Sequence, residues 1–263
     1  MSALISIVVP SRLDPVHMEH PDRLWLDRAI ESVRRQSLDN PVEIVVGLDR
    51  GTPPPPKLTS EHPDIVFAIA DERGQASAIN AAAALARGDY LAMLEDDDRW
   101  QPRFLEHALK AITECEFVSS NQLELPPDDV VGRINDFATP SGWFMRRSLW
   151  SEVGEMDPDY RYHLDNDWLG RLSDQGNRRV HLVEAGAATN LEDLKKQRPF
   201  LYSFATAKPG FNFVVRHAEP APLVLRTANP FGGMSMIRDS AEARTRSEAE
   251  QERLKEKFGR FPY

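Results

Sequence analysis

The sequence predicts an α/β fold with a mostly parallel central sheet, helices on both faces and a helical C-terminal tail. Through the first half of the chain, short β-branched runs alternate with helical patterns, which is typical of strands joined by crossover helices. The run at residues 5–9 is almost wholly apolar, as expected for a strand buried on both faces. The chain has 263 residues, 41% of them hydrophobic, enough for one large domain or two small ones.

Each predicted element follows from its local pattern. In the segment 24–36 the apolar residues Leu24, Ala29 and Val33 fall near helical spacing and charged residues fill the other side, which predicts an amphipathic helix. The segment 75–86 is rich in alanine, a strong helix former. The remaining predicted elements are strands at 42–48, 65–69, 90–94, 117–121 and 180–183 and helices at 104–115, 147–153, 165–175 and 239–258. Glycine and proline at 229–236 predict a flexible loop.

Charge and composition exclude several classes of protein. With 32 basic and 41 acidic residues the net charge is −9, which argues against binding nucleic acid by phosphate neutralisation. The single cysteine, Cys115, cannot form an intrachain disulfide and fits a reducing compartment. The apolar run 4–10 is too short for a membrane span and lacks the basic leader of a signal peptide. We therefore expect a cytoplasmic protein, with peripheral attachment to a membrane left open.

Acidic residues follow two of the predicted strands. Asp49 comes after the second strand, and the run Glu95-Asp96-Asp97-Asp98 comes directly after the fourth. In open parallel sheets, ligands bind outside the carboxyl ends of the strands. On an extended backbone alternate residues point the same way, so we expect Asp96 and Asp98 to face one cleft while Glu95 and Asp97 face away. This geometry suits Mg²⁺ or Mn²⁺ completed by a substrate diphosphate; the alternative is a solvated acidic loop.

Several segments resemble a known family. The segments 74–81 (GQASAINA), 86–91 (ARGDYL) and 94–98 (LEDDD) are similar in order and spacing to the nucleotide-sugar-binding half of family-2 glycosyltransferases with the GT-A fold. The segments 142–147, 153–157 and 164–171 are similar to the acceptor side of the same enzymes. The resemblance therefore spans roughly residues 3–185.

The resemblance implies a role for individual residues of the first half. The donor-binding residues that it implies are Pro10, Ser11, Asp49, Arg73, Asp96 and Asp97. It implies Mn²⁺ or Mg²⁺ as the cofactor, with Asp98 as the direct metal ligand and Asp96 as a metal or ribose contact. His181 and His217 are further candidates for the metal site, although such histidines are more often exposed or hydrogen-bonded within the protein.

The resemblance also implies a general base in the second half. Asp165 matches the family's catalytic aspartate, which takes the proton of the acceptor hydroxyl while that oxygen attacks the anomeric carbon. Asp167, two residues later, is a competing assignment, and either carboxylate could instead cap a helix. The chain departs from the family's pattern at three places: it has Asp-Arg-Gly-Thr at 49–52, Ile79 where an arginine is frequent, and Leu164 in place of a glutamate.

These observations together predict a metal-dependent, inverting glycosyltransferase of the hexosyltransferase type that uses a nucleoside-diphosphate sugar, with UDP as the expected nucleotide. The alternatives are a catalytically degenerate GT-A domain that binds nucleotide or carbohydrate, and a related nucleotidyltransferase. The predicted domain covers residues 1–228, with a nucleotide-binding half at about 1–100 and an acceptor half at about 101–228, followed by the loop and C-terminal helix at 229–263. The expected acceptors are a glycan, a lipid-linked sugar or a small molecule, and the C-terminal helix is a candidate homodimer contact.

Overall fold

The computed structural model describes residues 2–17, 20–126, 132–206, 213–230 and 232–262. The strands are β1 (Ile5–Ser11), β2 (Pro15–His17), β3 (His20–Leu24), β4 (Val42–Leu48), β5 (Val66–Ile69), β6 (Tyr90–Met93), β7 (Arg99–Trp100), β8 (Phe117–Ser120), β9 (Gln122–Leu125), β10 (Arg133–Asn135), β11 (Phe144–Arg146), β12 (Arg179–Val183), β13 (Phe213–His217) and β14 (Val224–Thr227). The helices are α1 (Trp25–Arg34), α2 (Pro56–Glu61), α3 (Gln75–Leu85), α4 (Phe104–Ala111), α5 (Arg147–Val153), α6 (Leu164–Asp174), α7 (Leu191–Gln197), α8 (Pro199–Thr206), α9 (Gly233–Asp239) and α10 (Ala241–Phe258).

The main sheet has the strand order β13-β12-β8-β11-β6-β1-β4-β5. β1 pairs in parallel with both β4 and β6, so the carboxyl ends of these three strands meet at one edge. β11 is antiparallel to both of its neighbours, β6 and β8. A smaller sheet has the order β10-β9-β14-β7, and β2 pairs with β3. The predicted α/β class with a mostly parallel central sheet is therefore confirmed.

Helices cover the main sheet on both faces. Ile7 and Val9 of β1 point to one face, where they belong to a buried cluster with α1 and α4. Val8, between them, points to the other face and packs in a cluster with α3, α5 and α6. Because successive side chains of a strand alternate between faces, a central strand covered on both sides is apolar throughout.

Helix α3 lies unusually close to strand β4. A Cβ atom added to Gly47 would lie only 2.0 Å from the backbone oxygen of Ala78. Only glycine therefore allows the two backbones to approach this closely. The contact sets the position of the N-terminal end of α3, which borders the candidate site described below.

Two predictions about the C-terminal region need correction. The segment 229–236, predicted as a flexible loop, contains the start of helix α9, in which the Met236 amide donates to the Gly232 oxygen over 3.0 Å. Strands β13 and β14 follow the last predicted strand. Sequence patterns missed them because each is short and is stabilised by pairing with a distant strand.

The C-terminal helix packs against its own chain. Leu254 of α10 is fully buried in the cluster that holds α3 and α6, and the Phe258 ring lies against Gly170. A homodimer contact through the remaining face of this helix stays a prediction. Within the described ranges, none of the helices combines the length and the apolar character needed to cross a membrane.

We expect Gly47→Ala to lower the free energy of unfolding by about 1–3 kcal/mol or more, because the new methyl group must push the backbone of α3 away from β4. Urea denaturation followed by circular dichroism measures this loss. Gly233→Ala is the matched control, since its Cβ would lie 3.6 Å from the nearest atom, a ring carbon of Tyr162. Equal stability of the two variants would contradict the close approach.

Candidate functional site

A cavity of about 500 Å³ opens at the carboxyl ends of β1, β4 and β6. Strand β14 of the smaller sheet, the segment that follows it and the start of α9 form the opposite wall. The lining residues are Pro10, Ser11, Arg12, Asp49, Gln75, Ala78, Glu95, Asp96, Asp97, Glu124, Arg133, Asn135, Arg161, Tyr162, Arg226, Thr227, Ala228, Asn229, Gly232, Gly233, Met234, Ser235, Met236 and Arg238. Its location is where open parallel sheets bind ligands.

The ends of β1 and β4 bring predicted donor-binding residues together. Pro10, Ser11 and Asp49 all line the cavity. The Ser11 hydroxyl donates to Asp96 Oδ2 over 2.6 Å, and Asp49 Oδ1 accepts from the Gly74 amide over 2.9 Å. The first of these bonds connects β1 to the acidic run, and the second connects β4 to the residue before α3.

Arg73 lies outside this cavity. It lines an adjoining space of about 420 Å³ at the N-terminal end of α3, together with Asp49 and Arg161. Asp49 and Arg161 also line the first cavity, so the two spaces are neighbours. The structure thus places Arg73 beside the site and not within it.

The acidic run after β6 does not have the predicted orientation. Glu95, Asp96 and Asp97 line the cavity. Asp98 instead is 1% exposed, and its two carboxylate oxygens accept from the Thr227 amide over 2.9 Å and from the Ser141 hydroxyl over 2.6 Å. The predicted pairing of Asp96 with Asp98 on one cleft is therefore wrong.

The reason for this difference is a turn. The Asp98 amide donates to the Glu95 oxygen over 3.1 Å, so residues 95–98 form a tight turn and not an extended strand. Alternation of side chains applies only to extended backbone. Asp97 consequently occupies the position facing the cavity that the prediction had given to Asp98.

The charges of this run raise one another's pKa values. Burial and the neighbouring Asp97 raise the pKa of Glu95 to about 7 and that of Asp96 to about 8. Burial raises the pKa of Asp97 too, although a hydrogen bond from Asn229 opposes the shift. Burial, Asp97 and Glu95 raise the pKa of Asp98 well above its ordinary value. A cation close to these carboxylates would relieve the repulsion.

Two residues of this wall were missed by the sequence analysis. Arg226 of β14 faces the acidic run, and although burial opposes it, the carboxylates of Asp98 and Glu95 raise the pKa of its guanidinium. The side-chain Nδ2 atom of Asn229 donates to Asp97 Oδ2 over 2.9 Å. The signal for β14 was a short run, Leu-Val-Leu at 223–225, which resembles any brief apolar segment.

The carboxylates suit a hard divalent cation that is completed by a ligand. Among the described residues there is no group of three or more His, Cys, Asp or Glu side chains placed to hold a metal ion alone. Mg²⁺ and similar ions need only one or two protein carboxylates when phosphate oxygens supply other ligands. Asp97, with Asp96 beside it, offers such carboxylates at the cavity wall. The carboxylate oxygens of the site are therefore suitable ligands for such a cation.

The two predicted histidine candidates lie elsewhere. His181 is fully buried beside Ser119, whose hydroxyl is 2.8 Å from its Nδ1 atom. His217 Nε2 lies 2.6 Å from the Ala187 carbonyl oxygen. Neither residue lines the cavity. Both have the ordinary structural role that the sequence analysis kept as the alternative.

Helix α6 begins beside the cavity and carries the two candidates for a general base. Asp165 is partly exposed, and burial raises its pKa to about 6. Asp165 interacts electrostatically with two residues that line the cavity. It raises the pKa of Glu95, and Arg226 lowers the pKa of Asp165. Within the described part of the chain, the Oδ1 atom of Asp165 accepts a local bond, from the Asn166 amide over 2.8 Å. Its raised pKa and nearness to the cavity are typical of a catalytic carboxylate.

Asp167 has a different environment. It is fully buried, and its carboxylate pairs with Arg171 over 2.9 Å and with Lys257 over 2.7 Å. Both oxygens are thus held by cations of α6 and α10. This ion-pair network favours Asp165 over Asp167 as the residue available for proton transfer.

Two of the residues at which the sequence departs from the family's pattern lie in helices, and both are buried. Ile79 of α3 is fully buried in the core, and Leu164 at the start of α6 is 4% exposed. Positive charge reaches the cavity from other elements, since Arg12, Arg133, Arg161, Arg226 and Arg238 all line it. The missing arginine at position 79 therefore does not leave the cavity without cations.

Comparison with known proteins supports this interpretation of the fold. The model of the family described as "Glycosyl transferase family 2" matches residues 15–124. An uncharacterized glycosyltransferase, YwdF of Bacillus subtilis (strain 168), is 29% identical over 165 residues, which cover 55% of this chain and 61% of that protein. The chain thus spans less than two thirds of this curated relative.

Similar solved structures include S. aureus TarS and the mannosyltransferase PcManGT. S. aureus TarS 1–349 in complex with UDP has a TM-score of 0.56 at 13% identity, covering 98% of this chain and 72% of that one. The mannosyltransferase PcManGT from Pyrobaculum calidifontis, in complex with GDP-Man and Mn²⁺, has a TM-score of 0.51 at 17% identity, covering 71% of this chain and 58% of that one. The resemblance to family-2 glycosyltransferases is confirmed, and the fold is the GT-A fold.

We expect Asp98→Ala to lower the free energy of unfolding by about 1–3 kcal/mol, because it leaves the Thr227 amide and the Ser141 hydroxyl without their buried partner. Asp98→Asn retains one acceptor for the amide and a donor for the hydroxyl, so its loss should be below about 1 kcal/mol. Urea denaturation in the presence of EDTA measures both variants. Equal losses for alanine and asparagine would contradict the structural role of Asp98.

Proposed function

We propose that the protein is an inverting glycosyltransferase that moves a sugar from a UDP-sugar to an acceptor hydroxyl with the help of Mn²⁺ or Mg²⁺. The observation that carries the proposal is the cavity lined by three carboxylates, Glu95, Asp96 and Asp97. Asp165 does not line this cavity but is near enough to raise the pKa of Glu95. A cavity of about 500 Å³ lies within the range of small-molecule and cofactor sites, roughly 300–1,000 Å³.

The residues at the ends of β1 and β4 support binding of the nucleoside. Pro10 offers an apolar surface, and Asp49 offers a carboxylate that retains lone pairs besides the one used by the Gly74 amide. Asp96, whose Oδ2 atom accepts from the Ser11 hydroxyl, is proposed to accept from a ribose hydroxyl through its other oxygen. UDP is the preferred nucleotide because the similar TarS structure holds UDP, whereas PcManGT holds GDP-Man.

The residues that would hold the cation are Asp97 and Asp96. We assign Asp97 as the direct ligand in place of Asp98, since Asp98 is buried and already accepts two hydrogen bonds. When bound, the cation neutralises charge that develops on the departing diphosphate. Arg226 adds a fixed positive charge at the same wall, where preorganised charge stabilises a leaving group.

Asp165 is the proposed general base. Its carboxylate takes the proton from the acceptor hydroxyl as that oxygen forms a bond to the anomeric carbon, and the bond from this carbon to the diphosphate breaks on the opposite face. One displacement of this kind inverts the configuration. A base is most effective when its pKa lies near the working pH, and the value of about 6 for Asp165 satisfies this condition.

The division of the chain stays part of the proposal. We propose a nucleotide-binding half at about residues 1–100, an acceptor half at about 101–228, and a C-terminal segment at 229–263. The acceptor is a glycan, a lipid-linked sugar or a small molecule, and the transferred sugar is a hexose. The lining of the cavity by Gly232 and Gly233 supports a contribution of the C-terminal segment to the donor site.

We expect UDP to raise the melting temperature of the wild type only when Mn²⁺ is present, because ligand binding to the native state stabilises it by mass action. At a UDP concentration about 100 times the dissociation constant, the gain is about 2.7 kcal/mol. Asp97→Asn should lose this response, while Glu61→Gln, at an exposed position of α2, should retain it. A response that is equal without metal, or absent for UDP and present for GDP, would contradict the proposed donor site.

We expect Asp165→Asn to lower turnover of UDP-sugars by about 10²–10⁴-fold, because general-base catalysis contributes a factor of this size, while UDP still binds. The wild-type rate should fall about tenfold per pH unit below pH 6, since protonated Asp165 cannot accept the proton. Release of UDP from a panel of UDP-sugars between pH 5 and 8, with water in place of the acceptor hydroxyl, measures both effects. Asp167→Asn should chiefly lower stability. Loss of turnover in Asp167→Asn, with loss of stability alone in Asp165→Asn, would instead identify Asp167 as the base.

A further inference from the structure

Glu250 of helix α10 binds the segment that leads into helix α6. Its Oε1 atom accepts from the Arg161 amide over 2.8 Å. Its Oε2 atom accepts from the Tyr162 amide over 2.8 Å and from the His163 amide over 3.2 Å. One carboxylate therefore holds three consecutive backbone amides, from a residue almost ninety positions away in the chain.

The entrance to α6 has no local means of holding these amides. His163, the residue before the first helical position, makes no side-chain capping bond to the helix. Unpaired backbone amides at such a position are costly when buried. Glu250 is only 5% exposed, and hydrogen bonds to a charged acceptor contribute more than neutral ones. The tail thus holds the segment that precedes the helix and, through the His163 amide, the N-cap residue itself.

Glu250 has a cationic partner of its own. Arg246, one turn earlier in α10, lies 3.1 Å from Glu250 Oε1. The charge of the carboxylate is therefore partly balanced, and its lone pairs remain directed toward the three amides. A buried carboxylate without such partners would be protonated or excluded from this position.

Other contacts from the tail flank Asp165 on both sides. Ser247 Oγ lies 2.8 Å from His163 Nε2, the Pro262 oxygen accepts from Asn166 Nδ2 over 2.7 Å, and Lys257 pairs with Asp167 over 2.7 Å. Among the described residues, the hydrogen bonds of the Asp165 carboxylate are local, to the backbone of residues 165 and 166. Its direction therefore depends on the backbone that these neighbours hold.

We infer that Glu250 is a positioning residue for the proposed general base, acting through the 161–163 backbone to fix the first turn of α6 and the direction of Asp165. This inference rests on the proposed function. Arg161 and Tyr162, whose amides it binds, also line the cavity, so the same carboxylate connects the C-terminal helix to the cavity wall. A misplacement of about 1 Å at a reacting group can cost about 10²-fold in rate.

Several charged groups surround Asp165. Glu95 and Arg226 approach it from the cavity, where Arg226 lowers its pKa. Asp167 and Arg171 lie on its own helix and pair with each other. From α10, Lys257 pairs with Asp167, and Glu250 pairs with Arg246. If the first turn of α6 opens, the carboxylate becomes more solvated, and desolvation is the main cause of its raised pKa.

The test compares Glu250→Ala and Glu250→Gln with Glu248→Ala. Glu248 is an exposed residue of the same helix, so its variant controls for lost negative charge. We expect Glu250→Ala to lower turnover of UDP-sugars by about 10–100-fold while the dissociation constant for UDP, measured by calorimetry, changes less than twofold. The pH midpoint of the rate should move from about 6 toward the ordinary aspartate value of about 3.9. Glu250→Gln, which retains one acceptor oxygen, should be intermediate.

A second measurement does not depend on turnover. The carboxyl carbon of Asp165, assigned with Asp165→Asn and titrated by ¹³C NMR, should show the same lowered midpoint in Glu250→Ala and an unchanged midpoint in Glu248→Ala. If Glu250→Ala does not fold, Glu250→Gln and Ser247→Ala serve in both measurements. An active wild type with unchanged rate and unchanged Asp165 titration in the Glu250 variants would overturn this inference alone. A wild type that neither binds UDP nor turns over any UDP-sugar would overturn the proposed function, and the titration would still decide whether Glu250 holds Asp165.

Discussion

The accommodation of four consecutive carboxylates at the end of β6 is the constraint on which the rest of the structure depends. Like charges this close repel strongly where water is partly excluded. Each carboxylate accepts hydrogen bonds from a different part of the chain. The donors are Gln75 for Glu95, Ser11 for Asp96, Asn229 for Asp97, and Ser141 with the Thr227 amide for Asp98. Through these bonds the acidic run connects β1, α3 and β14.

Hydrogen bonds occupy some of the lone pairs of this run but do not remove its charge. The raised pKa values of Glu95 and Asp96 reflect the remaining electrostatic repulsion. The positive charge of Arg226 balances only part of the negative charge. Natural proteins accept such local destabilisation chiefly at functional sites. In the proposed enzyme, the residual negative charge is what attracts a divalent cation together with a nucleoside diphosphate.

The C-terminal helix belongs to the same system although it lies far along the chain. The family match ends at residue 124, whereas α6 and α10 lie entirely beyond it. Leu254 is buried in the core that holds α3 and α6, and this packing brings Glu250 and Lys257 onto the first turn of α6. The proposed base is thus supported by a helix that the sequence presented as a candidate homodimer contact.

The sequence by itself determined the α/β class, most elements of residues 1–183 and the residues at the ends of β1, β4 and β6, because the spacing of apolar residues and the end of a strand are local properties. Only the tertiary structure decided that Asp97 and not Asp98 faces the cavity, and that Asp167 is bound in ion pairs while Asp165 has none with the described residues. It also decided that Arg226 and Asn229 line the cavity and that Glu250 binds the backbone of the cavity-lining Tyr162. These outcomes depend on a four-residue turn and on contacts between residues about ninety or more positions apart. Such contacts arise from packing, which leaves no periodic pattern along the chain.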